Sequence, residues 1–173
     1  MKTDKTTHYK GISRIYFSSI IFNIIKIGNL DKTNQVILDF GCGEKQLSKH
    51  LISKKVLNYD INPIYSELDS YLDLKFDIVV FNHVLMYMNK DQILKIFEDI
   101  KKINDKCEFL IGISKGRFLN KLAALLAFNL QAHEGTLSSY DEQLEIINDK
   151  MKIIKSKKNI FFMTDIFKCN FKS

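Results

Sequence analysis

The chain contains few of the residues that mark linkers, disulfide frameworks or metal sites. Its 173 residues include one proline and no glycine- or serine-rich tract, so nothing indicates an internal domain boundary. Cys42, Cys107 and Cys169 are far apart and odd in number, which predicts reduced thiols rather than disulfides. The four histidines are also scattered, and we expect no metal site. The composition, 46% hydrophobic and 27% charged, is that of an ordinary globular domain.

The chain also lacks a long hydrophobic run and is poor in arginine. Polar residues interrupt the first apolar region, 12–30, so we expect neither a signal peptide nor a transmembrane span and predict a cytoplasmic protein. Of the 26 basic residues 24 are lysine, whereas nucleic-acid-binding proteins typically use arginine, so nucleic acid is not an expected partner. The net charge of +6 is concentrated from Lys150 onward. We interpret that excess as a solvated face, with weak binding to a membrane surface or an acidic partner as the alternative.

The spacing of apolar residues predicts alternating helices and strands. Strand-like runs occur at 35–40, 55–60, 77–82 and 107–114, with a weaker one at 68–74. Helical patterns occur at 12–30, 46–53, 90–102, 117–130 and 141–150. The last two segments, 152–163 and 165–171, alternate like paired strands. Such alternation predicts one α/β domain over residues 1–173, with an N-terminal helical cap (1–34), an α/β core (35–173) and a mostly parallel, doubly wound sheet.

The most informative segment is residues 36–44, VILDFGCGE. It reads as a buried strand that ends near an acid, Asp39, and turns sharply through Gly41 and Gly43. These glycines can adopt backbone angles closed to other residues, and they let a ligand approach the main chain closely. A helix follows, and its first N–H groups have no partner within the helix. Because parallel sheets bind ligands at the carboxyl ends of their strands, the segment predicts a nucleotide-type pocket.

Four segments together resemble the class I S-adenosylmethionine-dependent methyltransferases. Residues 36–44 resemble the first motif of that family, an apolar strand followed by Asp-x-Gly-x-Gly, and residues 58–61 (NYDI) resemble its second strand with a terminal acid. Residues 76–85 (FDIVVFNHVL) are similar to the fourth-strand motif of many small-molecule members. The two C-terminal strands fit the closing antiparallel hairpin. The resemblance implies a Rossmann-like domain with a seven-stranded sheet, in which the third strand of this chain is weak.

The resemblance also implies which residues bind the cofactor, S-adenosylmethionine. Gly41 and Gly43 would let the backbone pass beside its methionine part, with Asp39 near the amino group. Asp60 would accept hydrogen bonds from both ribose hydroxyls, a task that suits a carboxylate because it accepts two hydrogen bonds at once. Ile61 would pack on the adenine.

Two residues near the end of the fourth strand are expected beside the reacting groups. The resemblance implies that Asn82, as a cofactor-binding residue, and His83 lie beside the donor methyl group and the substrate, and that Asp69 or Asp73 supplies an acid on the adenine side. Imidazole titrates near physiological pH, so His83 and His133 are the candidates for a general base. His133 lies in a polar loop that should cover the mouth of the pocket.

Other notable residues have simpler interpretations. Cys42 lies inside the glycine turn, and we interpret it as a small residue that fits there rather than as a nucleophile. Asp77 begins a strand and is expected to fix the chain at that point. Lys45 occupies the position of the third glycine that the family often has. The apolar helix predicted at 117–130 is expected to pack in the core, or else to cover an apolar substrate.

The function predicted from these observations is methyl transfer from S-adenosylmethionine to a small-molecule or lipid-linked acceptor. In-line displacement at a sulfonium centre chiefly requires alignment, which can contribute on the order of 7–11 kcal/mol. Two alternatives stay open. The fold could serve as a non-catalytic partner subunit, or the turn followed by Asp60 could belong to a nicotinamide-dependent oxidoreductase, whose fingerprint it partly matches.

Overall fold

The computed structural model describes residues 12–115, 135–159 and 162–172. The elements in chain order are α1 (Ile12–Gly28), β1 (Ile37–Phe40), α2 (Gln46–His50), β2 (Val56–Tyr59), β3 (Ile78–Asn82), a 3-10 turn (Leu85–Tyr87), α3 (Lys90–Ile103), β4 (Glu108–Ser114), α4 (Tyr140–Lys150), β5 (Met151–Lys158) and β6 (Thr164–Phe171). The predicted helix at 117–130 and the loop that contains His133 lie outside the described residues.

One sheet holds all the described strands, in the order β2-β1-β3-β4-β6-β5. Strands β1 to β4 are parallel to one another, and β6 lies antiparallel between β4 and β5. Strands β1 and β3 are buried nearly throughout, as expected for parallel strands that are covered on both faces. The predicted α/β class, the parallel core and the antiparallel hairpin are confirmed.

The strand count differs from the prediction, because the described residues form six strands rather than seven. Residues 68–74, predicted as a weak third strand, form turns. Local side chains bond to the backbone of this region: Ser66 Oγ accepts from the N–H of Leu68 and donates to its carbonyl, and Ser70 Oγ accepts from Leu72 N–H. Such bonds give the backbone an alternative to a strand ladder. The weak apolar pattern was therefore a signal of core packing, which Leu68 retains.

Two apolar layers cover the two faces of the sheet. On one face α1 packs directly against the strands, with Ile20, Ile24 and Leu30 fully buried. On the other face α3 and α4 cover a cluster rich in phenylalanine, which contains Phe40, Phe81, Phe97 and Phe109. Complete burial of each such side chain stabilises the fold by about 1.5–3 kcal/mol. The two layers hold the carboxyl ends of β1, β2, β3 and β4 at one edge.

The lysine-rich C-terminal region forms the outer strand of the sheet. Lys152, Lys155, Lys157 and Lys158 are exposed on β5, and the pairing of β5 with β6 shifts register between Ile153 and Lys155. Exposed lysines and irregular pairing are common devices that prevent an edge strand from pairing with another chain. Binding of this region to a membrane surface or an acidic partner stays a prediction. Among the described residues, no helix is both long and apolar enough to cross a membrane.

Candidate cofactor-binding and catalytic site

The glycine turn follows β1 and is bonded to the end of β2. The N–H groups of Gly41 and Cys42 both donate to the Tyr59 carbonyl, at 2.8 and 3.1 Å. Gly41 has φ of +76°, and a Cβ there would lie 2.4 Å from a methyl carbon of Val84. Gly43 has φ of +46°, but a Cβ there would meet no heavy atom within 4 Å. The fold itself therefore requires Gly41, whereas Gly43 borders open space.

Asp39 lies on β1, two residues before this turn. The residue is only 5% exposed, and within the described part of the chain its carboxyl group forms no hydrogen bond or ion pair. Burial, and then repulsion from Asp60, raises its pKa from the ordinary 3.8 to about 7. A buried carboxylate without a partner is costly. A cation placed beside Asp39 would remove that cost.

Asp60 lies directly after β2 and reaches back to the turn. One carboxylate oxygen accepts from Gly43 N–H and the other from Asn62 N–H, each at 2.9 Å. A carboxylate oxygen can accept two hydrogen bonds, so both oxygens retain the capacity to accept from a hydroxyl group. Ile61, the next residue, is 92% exposed. The structure thus brings Asp39, Gly43 and Asp60 together at one edge of the sheet.

Lys45, which replaces the third glycine of the family motif, ends the turn in the left-handed conformation with φ of 57°. Its ammonium group is 2.8 Å from a Glu67 carboxylate oxygen, and the other Glu67 oxygen accepts from the Asn58 side chain at 2.7 Å. Asn58 in turn accepts from Ser48 Oγ at 2.7 Å. The hydrogen bonds from Asn58 and then from Lys45 lower the pKa of Glu67. The network ties the turn to the loop after β2, and the sequence carried no signal for it.

The structure confirms the simpler interpretations of Cys42 and Asp77. The Cys42 thiol donates to the Tyr65 carbonyl at 3.5 Å, and chiefly its burial raises its pKa to about 12. A thiol with that pKa holds its proton at neutral pH and is a poor nucleophile. Asp77 accepts from Val36 N–H at 2.9 Å, so it joins the starts of β3 and β1.

His83 follows β3 in the left-handed conformation, with φ of 59°, which is uncommon for a residue other than glycine. Its N–H donates to the Gly112 carbonyl at 2.9 Å, and its ring nitrogen Nε2 is 2.9 Å from Thr164 Oγ1. Thr164 Oγ1 is also 2.6 Å from the Tyr16 hydroxyl. Next to His83, the buried Asn82 Oδ1 has no partner among the described residues. Both residues therefore lie at the carboxyl end of β3, and their contact with the donor methyl group stays a prediction.

A second polar cluster lies near the same edge and was not predicted. One oxygen of Asp165 accepts from the Tyr140 hydroxyl at 2.6 Å and is 3.0 Å from the Lys115 ammonium group. The other oxygen is buried with no partner in the described part of the chain. Burial, followed by the hydrogen bond to Asp165, raises the pKa of Tyr140. These residues come from α4, from β6 and from the position directly after β4, so no local pattern could have indicated the cluster.

No protein-family model and no curated protein sequence matches this chain. Solved structures do resemble it. Magnesium protoporphyrin IX methyltransferase from Synechocystis PCC 6803, solved with bound SAH, is 14% identical, with a TM-score of 0.64 over 96% of this chain and 90% of the other. N-methyltransferase NodS from Bradyrhizobium japonicum WM9, in complex with S-adenosyl-L-homocysteine, is 10% identical, with a TM-score of 0.68 over 91% and 88%.

A third structure, a TehB-like SAM-dependent methyltransferase from Corynebacterium glutamicum, is 16% identical, with a TM-score of 0.60 over 88% of each chain. The chain has the class I methyltransferase fold. The sheet agrees with that conclusion, because β6 lies antiparallel between β4 and β5, whereas the strand order of the dinucleotide-binding fold is built from parallel units.

Proposed function

We propose that this protein is an S-adenosylmethionine-dependent methyltransferase. The observation that carries the proposal is Asp39, a buried carboxyl group without a partner in the described chain and with a pKa raised to about 7. It lies at the carboxyl edge of a methyltransferase-like sheet, just before a turn whose Gly43 borders open space. A carboxylate in that position suits the ammonium group of the methionine part of the cofactor, since an opposite charge favours the ionised form.

The remaining residues of the edge fit the rest of the cofactor. Asp60 can accept from two vicinal hydroxyl groups while it keeps its bonds to Gly43 and Asn62. The exposed Ile61 side chain offers an apolar surface on which the adenine ring of the cofactor can pack. Lys45 turns toward Glu67 and fixes the end of the turn. When bound, S-adenosylmethionine supplies a methyl group on a sulfonium sulfur, which departs as a neutral thioether.

The chain contributes alignment and a base. Asn82 Oδ1, buried without a partner in the described residues, is suited to orient a hydrogen-bond donor on the acceptor. His83 takes the one proton that the acceptor loses as it gains the methyl group, so charge balances: the sulfonium loses its charge and the imidazole becomes a cation. This role limits the acceptor to a group that carries a dissociable proton. His133 stays a second candidate, outside the described residues.

The proposed acceptor is a small molecule or a lipid-linked intermediate. Support comes from structures of the same fold, one of which is named as a methyltransferase of magnesium protoporphyrin IX. A cytoplasmic location is part of the proposal and is supported by the three buried, free cysteines, since reduced thiols are typical of reducing compartments.

Thermal melting with different cofactors tests this function against its alternatives. At a concentration one hundred times its dissociation constant, S-adenosylmethionine should stabilise the protein by about 2.7 kcal/mol, a rise in Tm of roughly 5–10 °C for a chain of this size. Asp60→Asn should lose more than half of that rise, because it removes an acceptor for a hydroxyl group. The control is Asp105→Asn, an exposed acid between α3 and β4, which should keep the full rise.

Two outcomes would support the alternatives instead. A larger rise with a nicotinamide cofactor would support the oxidoreductase. No rise with either cofactor, together with a stable complex with another protein, would support a partner subunit.

A further inference from the structure

We propose that Tyr16 and Thr164 are positioning residues, which hold the His83 ring with its proton on Nε2 and its basic lone pair on Nδ1. This inference rests on the proposed function, in which His83 accepts the proton of the methyl acceptor. It assigns a task to α1, which otherwise packs on one face of the sheet, and a further task to β6, which pairs with β4 and β5.

The three side chains come from distant parts of the chain and meet at one hydroxyl group. Thr164 is the first residue of β6, and it is fully buried. Its Oγ1 is 2.9 Å from His83 Nε2 and 2.6 Å from the Tyr16 hydroxyl. Both distances are those of good hydrogen bonds. Thr164 therefore connects the catalytic candidate to helix α1.

The Thr164 hydroxyl group has one proton, which limits how it can be hydrogen-bonded to both His83 and Tyr16. A threonine hydroxyl has one proton to donate and two lone pairs, and within the described residues Oγ1 has only Tyr16 and His83 as partners. A buried hydroxyl proton without an acceptor is costly. Thr164 therefore donates either to His83 Nε2 or to the Tyr16 oxygen.

The two choices give His83 opposite properties. If Thr164 donates to Nε2, the neutral ring carries its proton on Nδ1, and its only lone pair is already used. If Thr164 donates to Tyr16, Nε2–H donates to Thr164 and the lone pair is on Nδ1. Only the second choice gives a base. The same arrangement also fits the imidazolium that forms when the ring takes up a proton. Nε2–H donates to Thr164 before and after the reaction, so the buried threonine hydroxyl group does not have to reorient.

The surroundings hold this arrangement in place. Thr164 is β-branched, which restricts its side-chain rotamers, and its N–H donates to the Asn159 side chain at 3.3 Å. His83 is fixed through its N–H by the carbonyl of Gly112. A Cβ at Gly112 would lie 3.3 Å from Asn82 Oδ1 and 3.8 Å from both His83 Cδ2 and Thr164 Cγ2. These side chains thus pack closely around the bare backbone of β4.

Nitrogen NMR of the full chain, labelled at the histidine ring nitrogens, tests the proposal without any acceptor. In the wild-type protein above the pKa of His83, Nε2 should resonate as a protonated nitrogen and Nδ1 as an unprotonated one. Thr164→Val, which keeps the shape and removes the hydroxyl group, should move both signals toward the average of the two tautomers. Thr164→Ser should restore the wild-type signals. Tyr16→Phe should shift them in the same direction as Thr164→Val, because Thr164 loses the acceptor of its proton.

Two results would overturn the proposal. The first is a wild-type ring with its proton on Nδ1. The second is a Thr164→Val protein, folded by circular dichroism, whose ring signals equal those of the wild type. If the valine variant does not fold, Tyr16→Phe provides the same comparison, and ring signals equal to those of the wild type would then overturn the proposal. Failure of the proposed function is seen separately, as a wild-type protein that does not bind S-adenosylmethionine, whatever its histidine tautomer.

Discussion

Replacement of Asp39 by asparagine should stabilise the cofactor-free protein at high pH and not at low pH. The folded protein holds the Asp39 proton up to about pH 7, whereas the unfolded chain loses it near 3.8. Between these values the folded state binds more protons, so stability falls as pH rises and levels off above 7. Ionisation of Asp39 should lower the unfolding free energy by roughly 3 kcal/mol between pH 5 and pH 8. Asparagine does not ionise, so the variant should not lose this stability.

Urea unfolding of the two proteins at both pH values measures the effect. The difference in unfolding free energy between Asp39→Asn and wild type should be larger at pH 8 than at pH 5 by about 2–3 kcal/mol. A buried amide left without partners costs the same at either pH, so it cancels in this comparison. Asp105→Asn, an exposed control, should show no such change. Equal differences at the two pH values would refute the account of Asp39.

The same carboxyl group should make cofactor binding depend on pH. Because the ammonium group of the cofactor favours ionised Asp39, affinity for S-adenosylmethionine should rise roughly fivefold from pH 6 to pH 7, as expected for one group that titrates near 7. In Asp39→Asn the affinity should be lower and nearly independent of pH in this interval. Calorimetric titration at several pH values checks both statements, and an equal pH dependence in the two proteins would contradict the proposed contact.

Three further changes test the rest of the site. Gly43→Ala should cost about 1–2 kcal/mol of stability for its left-handed backbone and weaken S-adenosylmethionine binding at least tenfold. Gly41→Ala should destabilise the protein more, because its Cβ would collide with Val84. Urea unfolding measures the stabilities and calorimetry the binding, and equal stabilities of the two variants would contradict the geometry. Lys45→Gly should leave stability unchanged or raise it by up to about 1 kcal/mol. It removes the strain of a non-glycine residue in the left-handed conformation, and the exposed ion pair that it loses contributes little. A loss of stability above about 1 kcal/mol in urea unfolding would contradict this expectation. The pKa of His83, followed by NMR, should be lower with S-adenosylmethionine than with S-adenosylhomocysteine, because a like charge disfavours imidazolium; identical values would place His83 away from the methyl group.

Local motifs in the sequence predicted the alternating elements, the sharp turn at Gly41 and Gly43 and the place of Asp60 after a strand, because these features depend on neighbouring residues. The binding roles of Gly41, Gly43 and Asp60 stay predictions. The third strand was not formed, although Leu68 and Leu74 are apolar, because Ser66 and Ser70 bond to the backbone of this segment. A pattern of apolar residues does not reveal whether polar neighbours will compete for the backbone.

Properties that depend on contacts between residues far apart in the chain could not be predicted from the sequence. Tyr16 and Thr164 are 148 residues apart, and neither belongs to a recognisable motif, so their meeting at His83 required the fold. The high pKa of Asp39 likewise depends on burial and on the nearness of Asp60. His133 was predicted from its loop, and its role stays a prediction because it lies outside the described residues.

We propose that the edge formed by Asp39, Gly43 and Asp60 binds S-adenosylmethionine. Isothermal titration of the full chain at pH 8 tests it most directly. We expect one site per chain with a dissociation constant below millimolar, weakened roughly 10–100-fold by Asp60→Asn, as the loss of a hydrogen bond to a charged group implies, and unchanged by Asp105→Asn. Absence of binding at millimolar cofactor, or equal affinity of the wild-type and Asp60→Asn proteins, would contradict the claim.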